Sequence, residues 1–447
     1  MTFTRIPHPF ALLVGCVFLA AVLSWVVPAG EYQRHEHPAT GRQTVVPGSY
    51  HSVPSNPVTP FRALVALPKG MVDAASVIVL IFLVGGAITV VEKTGAFKSG
   101  VLWLVHRFRR RPHWIVPVCC VFFATGGVVE GMWEEVVALV PVLLLLSRMA
   151  GFDALTAVAM SIGAAGIGGA FSPFNPFSVG IAQKVAELPL LSGLGFRVAI
   201  LIPAVAIWTW GTMRHAARHR MPMNLDAIAE DHAIDPRHAL ILVLLLATFA
   251  GYVVGVLHYN WGFDELGAVF FAMGIVAGAL GRLGVGGICD AFIDGFRSMA
   301  YAAMLVGVAR AIFVVLADGK IVDTMIQAMV SPLQQLPASL FVTGITVVQT
   351  VISVPVPSSS GRAVLTLPIL VPVSDLLGVS RQVTVLAYQY GAGVFGQMWP
   401  TDGALMAVLA LAGVRFDRWV RFCIPLCAIL FVLGLAAILT AMAIGVQ

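Results

Sequence analysis

The sequence predicts an all-α polytopic membrane protein made of two inverted repeats, and three observations carry that prediction. Of the 447 residues, 59% are hydrophobic and 11% are charged, whereas an average globular chain is about a quarter charged. Mean hydropathy is +0.92. Uncharged apolar runs of roughly 20 residues, the length that crosses a bilayer core, recur along the chain, and similar polar or proline-rich interruptions recur in both halves. This composition excludes soluble, disordered, collagen-like and disulfide-rich secreted chains. The 44 Gly and 26 Pro suit membrane helices, where both are more frequent than in soluble ones.

Residues 9–28 form the first span. Arg5 before the run and Ala29-Gly30 after it give it the look of a signal peptide. Its length and the spans that follow favour an uncleaved helix. The Pro/Gly-rich segment 29–70 reads as an external loop, and 71–91 as the next span. Apolar stretches 114–149 and 337–376 are each broken near the middle. Stretches 153–187 and 380–413 are long helices with Pro-rich interruptions, and 194–213, 237–257, 264–282, 296–317 and 418–445 are plain spans. That makes about nine spans, with 214–236 a short charged linker. If the N-terminus is cytoplasmic, Arg107 to Arg111, Arg148, Arg214, Arg218, Arg220, Arg237, Arg282, Arg297, Arg415, Arg418 and Arg421 fall inside, as the positive-inside rule requires.

The repeat is read from punctuation. Thr94-Gly95 matches Asp318-Gly319 224 residues on, and Pro141 matches Pro368 and Gly151 matches Gly378 at 227. Ser172-Pro173-Phe174-Asn175-Pro176 falls on Trp399-Pro400-Thr401-Asp402-Gly403 at that same spacing. On the orientation above, 71–91 runs inward and 296–317 outward. Residues 1–213 and 259–447 are therefore inverted halves, joined by a linker and connecting span at 214–258. Inverted repeats with broken helices meeting near the midplane are the architecture of secondary transporters.

Four interruptions should converge. Stretches 114–149 and 337–376 read as re-entrant hairpins or as two full spans joined by a surface loop. Irregular backbone at depth is tolerated where it lines a cavity, which favours the hairpins. Asn175-Pro176 and Asp402-Gly403 read as helix N-caps followed by restarted helices; a proline kink is the alternative. Restarted helices aim free N–H groups and a positive dipole end at the midplane. Ser358, Ser359, Ser360 and Gly361 open another such helix with Arg362 beside them, so this side, with Asn175 and Thr401, is the candidate solute site for a carboxylate, while Asp402 at the second break would take the solute's ammonium or the coupling cation. Glu130, Glu134 and Glu135, with Asn175, form the candidate coupling or cation side, because acids inside a membrane are costly and functional by default. Arg310, alone in an apolar helix, and Trp133 are further candidates. In the alternative reading Glu134 or Glu135 pairs with Arg362 or Arg310 across the repeat interface. An amino acid suits the two unlike ends, and so does a dicarboxylate bound with a cation; the excess of acids tips the reading toward an amino-acid-like or cationic solute.

Rival classes fit less well. The eleven His lie away from the Ser cluster and no HExxH occurs, which argues against an intramembrane hydrolase. Channel filters repeat like groups, whereas these tips differ. No nucleotide or nucleic-acid motif is present. The six Cys lie mostly in apolar runs, where they act as small hydrophobes. No cofactor and no metal beyond Na+ is expected, with Na+ or H+ as the coupling ion.

Val27-Pro28-Ala29-Gly30-Glu31-Tyr32, Val46-Pro47-Gly48-Ser49-Tyr50, Gly131-Met132-Trp133-Glu134-Glu135, Phe171 to Gln183 and Pro357 to Pro368 together resemble the YfcC-like transporters. That group sits with the anaerobic dicarboxylate carriers in the ion transporter superfamily and includes proposed arginine–ornithine antiporters. The resemblance spans essentially the whole chain. It implies a bacterial inner-membrane secondary carrier, with two re-entrant hairpins in a transport domain beside a scaffold, working as a homodimer by an elevator-like shift. It also implies that Glu134-Glu135, Asn175-Pro176-Phe177 and Ser358 to Gly361 line the site. Against the family pattern, Arg362 stands where Gln is usual, Ala392 where an acid is common, and Asp402 where a small hydroxyl is typical; Trp133 is bulkier than the usual occupant.

Overall fold

The computed structural model describes residues 9–36, 43–108, 111–129, 131–221, 235–259 and 261–446. Helix α1 (Pro9–Val26) leads into two small antiparallel ribbons. In one, β1 (Gly30–Glu31) pairs with β4 (His51–Ser52), Gly30 opposite Ser52; in the other, β2 (Arg34–Glu36) pairs with β3 (Gln43–Val45), Arg34 opposite Val45. The segment expected to be an external loop thus holds short strands, and its end is helical. Helix α2 (Pro60–Asp73) starts where Thr59 accepts a hydrogen bond from the Arg62 backbone N–H, with Pro60 at its first position, a sound N-terminus.

Helices α3 (Ala75–Lys93), α4 (Ala96–Arg107), α5 (Ile115–Val129) and α6 (Glu135–Met149) follow. The first long broken helix comprises α7 (Ala154–Val158), a π-helical turn over Ala159–Gly163, α8 (Ala164–Ala170), a second π-helical turn over Pro176–Gly180, and α9 (Ile181–Val185). Next come α10 (Leu194–Arg218), α11 (Pro236–Tyr259), α12 (Phe263–Leu280), the 35-residue α13 (Gly284–Asp318) and the short amphipathic α14 (Val322–Val330). The chain ends with α15 (Ala338–Ile352), α16 (Ser359–Leu376), α17 (Arg381–Gly396), α18 (Gly403–Ala412) and α19 (Phe416–Ile444).

About nine spans were expected; by length and apolar composition six described helices can cross a membrane: Ala75–Lys93, Pro112–Val129, Leu194–Arg218, Phe263–Leu280, Gly284–Asp318 and Phe416–Ile444. The physical reason is the breaks. Ala154–Ala170, Ala338–Ile352 and Gly403–Ala412 are apolar but too short; 15 residues rise only about 22 Å, less than a hydrocarbon core of about 30 Å. Among the elements that sequence punctuation did not reveal are α2, α4, α14 and the β-ribbons. The linker segment 222–234 lies outside the described residues.

The packing pattern points to internal symmetry. Helix α5 runs along α8 as α15 runs along α17, and α6 meets α18 as α16 meets α9. Helices α1, α2, α3, α12 and α13 form one group, and α5, α8, α10, α15, α17 and α19 another, with α13 meeting α18 between them. Lipid tails are as apolar as Leu, so close packing through small residues holds such helices together. A Cβ on Gly168 of α8 would lie 2.0 Å from the Ala124 carbonyl oxygen of α5; one on Gly391 of α17 would lie 2.2 Å from that of Thr346 in α15. Only glycine allows either approach.

The ribbons clamp α14. Buried Asp323 of α14 takes two hydrogen bonds from Arg34 at 2.7 and 2.8 Å and one from the Tyr32 backbone N–H at 2.9 Å. Tyr50 shares a 2.9 Å hydrogen bond with Thr324, and Tyr32 donates to Gln327.

Candidate functional site

A cavity of about 590 Å³ lies where the interrupted segments meet, a volume suited to a small molecule. Its wall takes residues from the α5–α6 turn, the α8–α9 break, the α15–α16 turn, the α17–α18 break, and from α13. Of the residues singled out from sequence, Trp133, Glu134, Glu135, Asn175, Arg310, Ser358, Ser359, Ser360, Arg362, Thr401 and Asp402 all line it. Gly361 is in the first turn of α16 behind Ser358. Glu130 lies outside the described residues.

Each break is capped as a helix start. The Asn175 side-chain oxygen accepts from the backbone N–H groups of Phe177 (2.9 Å) and Ser178 (3.1 Å), while its amide nitrogen donates to the Gly127 carbonyl at 3.0 Å. That last bond ties the break to α5. Asp402 accepts from the Leu405 backbone N–H at 2.8 Å, and Ser358 from that of Gly361 at 3.2 Å. The α5–α6 turn reverses at Gly131, whose φ of +77° favours glycine.

The two wall arginines are engaged away from Glu134, Glu135 and Asp402. Arg362, 4% exposed, turns back on its own turn and donates to the carbonyls of Val356 (2.6 Å) and Pro357 (2.9 Å) and to Ser359 Oγ (3.2 Å). Tyr388 holds the same turn by donating to the Ser359 carbonyl at 2.5 Å. Arg310 forms its ion pair with Asp73, and its guanidinium stacks 4.9 Å from the centre of the Phe313 ring. At 35% and 46% side-chain exposure, the Arg310–Asp73 pair sits at a wet part of the wall. Pairing of Glu134 or Glu135 with Arg362 or Arg310 is therefore not what this conformation holds. Instead Glu135, 5% exposed, accepts a 3.0 Å bond from the Trp133 backbone N–H. The Trp133 indole N–H reaches both oxygens of Asp402, at 2.9 and 3.0 Å. Trp133 thus joins the α5–α6 turn to the α17–α18 break.

Sequence reasoning missed several groups. Arg197 of α10 is fully buried and donates to Gln389 and, at 3.0 Å, to Gln382. Gln389 lines the cavity and donates to the Ser172 carbonyl at 2.8 Å. Trp399 and Gln397 also line the wall. A lone Arg near a span end and Gln residues in an apolar helix gave a warning, but their partners are distant in sequence. Among the described residues no group of three His, Cys, Asp or Glu side chains is placed to hold a metal ion.

The cavity has four carboxylates, Asp73, Glu134, Glu135 and Asp402, against two guanidiniums, Arg310 and Arg362. With aromatic rings around them, such walls attract a cationic group. The helix starts at Ser358 and Asp402 supply donors for an anionic one.

A family model described as DcuC, C4-dicarboxylate anaerobic carrier, matches residues 6–443. An Escherichia coli K12 protein named "putative basic amino acid antiporter YfcC" is 30% identical over 490 residues, covering 98% of this chain and 97% of its own. A Haemophilus influenzae protein named "uncharacterized protein" is 29% identical over 486 residues, covering 96% and 95%. Among solved structures, the Alcanivorax borkumensis YdaH transporter aligns over 98% of this chain and 99% of its own at 18% identity and a TM-score of 0.46.

Proposed function

The chain belongs to the DcuC family of C4-dicarboxylate anaerobic carriers, and within that family we propose that it is an elevator-type secondary carrier for an amino acid, a basic one before others, on the strength of its cavity wall. As a member it is a multi-pass bacterial inner-membrane secondary transporter for a small polar or charged solute. The carrying observation is that Glu134, Glu135 and Asp402 line the cavity with no ion pair among the described residues, while Arg362 is bound to backbone carbonyls and Arg310 to Asp73. A dicarboxylate dianion entering that wall meets like charge unless cations accompany it, whereas an ammonium or guanidinium is attracted. The relative named as a putative basic amino acid antiporter agrees with the same chemistry.

In this proposal residues 1–213 and 259–447 are inverted repeats with 214–258 between them. The α5–α6 and α15–α16 pairs are re-entrant hairpins, and the α8–α9 and α17–α18 breaks are the discontinuous helices. The N-terminus is cytoplasmic, and the protein works as a homodimer in contact with lipid. Ser358, Ser359, Ser360, Gly361, Asn175 and Thr401 receive the carboxylate end. Glu134, Glu135 and Asp402 receive the ammonium or the coupling cation, Na+ or H+. Arg362 acts by shaping the α15–α16 turn, and the Arg310–Asp73 pair flanks the entrance.

A sodium- or proton-coupled dicarboxylate carrier is the second reading. The description of the family as C4-dicarboxylate carriers and the Ser358 helix start favour it. A thermal-shift screen of purified protein against arginine, lysine, alanine and succinate, each with and without sodium, separates the two. The basic amino acids should raise the melting temperature most, and Glu134→Gln should shrink that rise. A rise with succinate and none with amino acids overturns the proposal.

A further inference from the structure

We infer that Gln397 is the residue that recognises the solute's α-amino and α-carboxyl groups together, so that the carrier takes intact α-amino acids; this rests on the amino-acid reading above. Among the described residues, six buried side-chain amides serve as the comparison: Asn175, Gln183, Gln349, Gln382, Gln389 and Gln397. Asn175, Gln382 and Gln389 use both amide atoms in hydrogen bonds. Gln183 does so too, through Ser192 and Leu191. Gln349 donates to Thr366 at 2.8 Å and leaves only its oxygen without a partner. Gln397 alone of the six has neither its amide nitrogen nor its oxygen bonded, although it is 1% exposed.

Its place makes the two free atoms meaningful. Gln397 follows the last turn of α17, at the head of the α17–α18 break, and lines the cavity. Trp419 donates to its backbone carbonyl at 2.8 Å, which anchors the backbone at this point. The amide faces α8 at Gly166, where an added Cβ would lie 3.1 Å from Gln397 Oε1 and 2.5 Å from the Trp133 ring. The amide is therefore beside the indole that bonds Asp402. Thr401, 6% exposed and in the same break, also has a hydroxyl without a partner.

A carboxamide offers a donor and an acceptor side by side and carries no charge. An α-amino acid presents a carboxylate that accepts and an ammonium that donates, so it satisfies both atoms whichever way the amide is turned. A dicarboxylate satisfies only the nitrogen and sets its oxygens against Oε1. A buried polar site rejects a ligand that leaves one of its groups unpaired far more strongly than an apolar pocket rejects a missing methylene. Gln397 thereby selects for the α-carbon substituents, and the acids Glu134 and Glu135 are left for a cationic side chain.

The test truncates protein and ligand in parallel. Full-length carrier in liposomes is assayed for inhibition of labelled arginine counterflow by arginine, by agmatine, which lacks the carboxylate, and by 5-guanidinopentanoate, which lacks the ammonium. Wild type should bind arginine at least ten-fold more tightly than either analogue. In Gln397→Leu that preference should collapse toward unity while the maximal rate falls less than the apparent affinity. Gln397→Asn should keep part of it. Where Gln397→Leu is poorly folded, the same comparison in Gln397→Glu, which keeps size but loses the donor, should lose arginine over agmatine selectivity. Unchanged selectivity in a folded variant overturns the inference and leaves the carrier reading standing. So does a change confined to sodium dependence, since that marks a cation ligand. Wild-type liposomes that exchange succinate but no amino acid overturn both readings.

Discussion

Asp402 combines two tasks that one pair of substitutions separates. It caps α18 through the Leu405 backbone N–H and accepts the Trp133 indole N–H, and in the proposed site it is also a negative charge for the solute's cationic end. Asn is as good a cap as Asp, whereas Ala costs about 1 kcal/mol at such a position. Asp402→Asn should leave the melting temperature nearly unchanged yet weaken arginine binding ten-fold or more, while Asp402→Ala should lose both. Equal arginine affinity in wild type and Asp402→Asn would remove the charge from recognition. The identity of these acids was legible in the sequence because charge is so rare inside apolar runs. Their bonding was not: Trp133 is 269 residues from Asp402, and nothing local says that Arg362 will bend back to Val356 and Pro357 rather than reach an acid. Gln397 was invisible for a similar reason, since an unpaired amide is a property of its neighbours.

At the scale of elements, the glycine contacts and the helix ends make the sharpest predictions. Gly391→Val would press a branched side chain against the Thr346 carbonyl, and overpacking of that kind costs about 1–3 kcal/mol or more. The variant should melt several degrees lower in detergent; an unchanged melt would show that α15 and α17 are not packed as described. At the other end of α7, Asp153 caps the helix through Thr156 (3.0 Å) and meets His215 (3.2 Å) and Arg418 (2.9 Å). Burial pushes its carboxyl up, but hydrogen bonds from His215 and Thr156 outweigh that and hold it at about 2, below the ordinary 3.8. Its folded form is the depressed one, so its contribution is complete above about pH 4 and drains as pH falls toward 2. The stability gap between wild type and Asp153→Asn should therefore be wide at pH 7 and narrow at pH 3; a gap independent of pH would contradict this. The broken helices were readable because Asn-Pro and Asp-Gly are strong local punctuation. Short amphipathic α14 and the π-helical turn over Ala159–Gly163 were not, because neither a nine-residue helix among longer apolar runs nor a one-residue bulge leaves a pattern in composition.

For the whole molecule, α5 packs on α8 as α15 packs on α17, a pattern suggestive of internal symmetry. The group around α3 and α13 and the group around α8 and α17 both contribute residues to the cavity wall, and in the proposed carrier they are the scaffold and the moving body. The ribbons are clamped to α14 through Asp323, which lies 289 residues beyond Arg34 and ties the segment after α1 to a helix far along the chain. In the proposed mechanism this cavity carries a basic amino acid by alternating access, and counterflow reports on that step. Liposomes containing the purified protein and loaded with unlabelled arginine should accumulate external labelled arginine transiently and saturably, with lysine competing and succinate not. Uptake that is unaffected by internal arginine, or saturable exchange of succinate without amino acids, would contradict it.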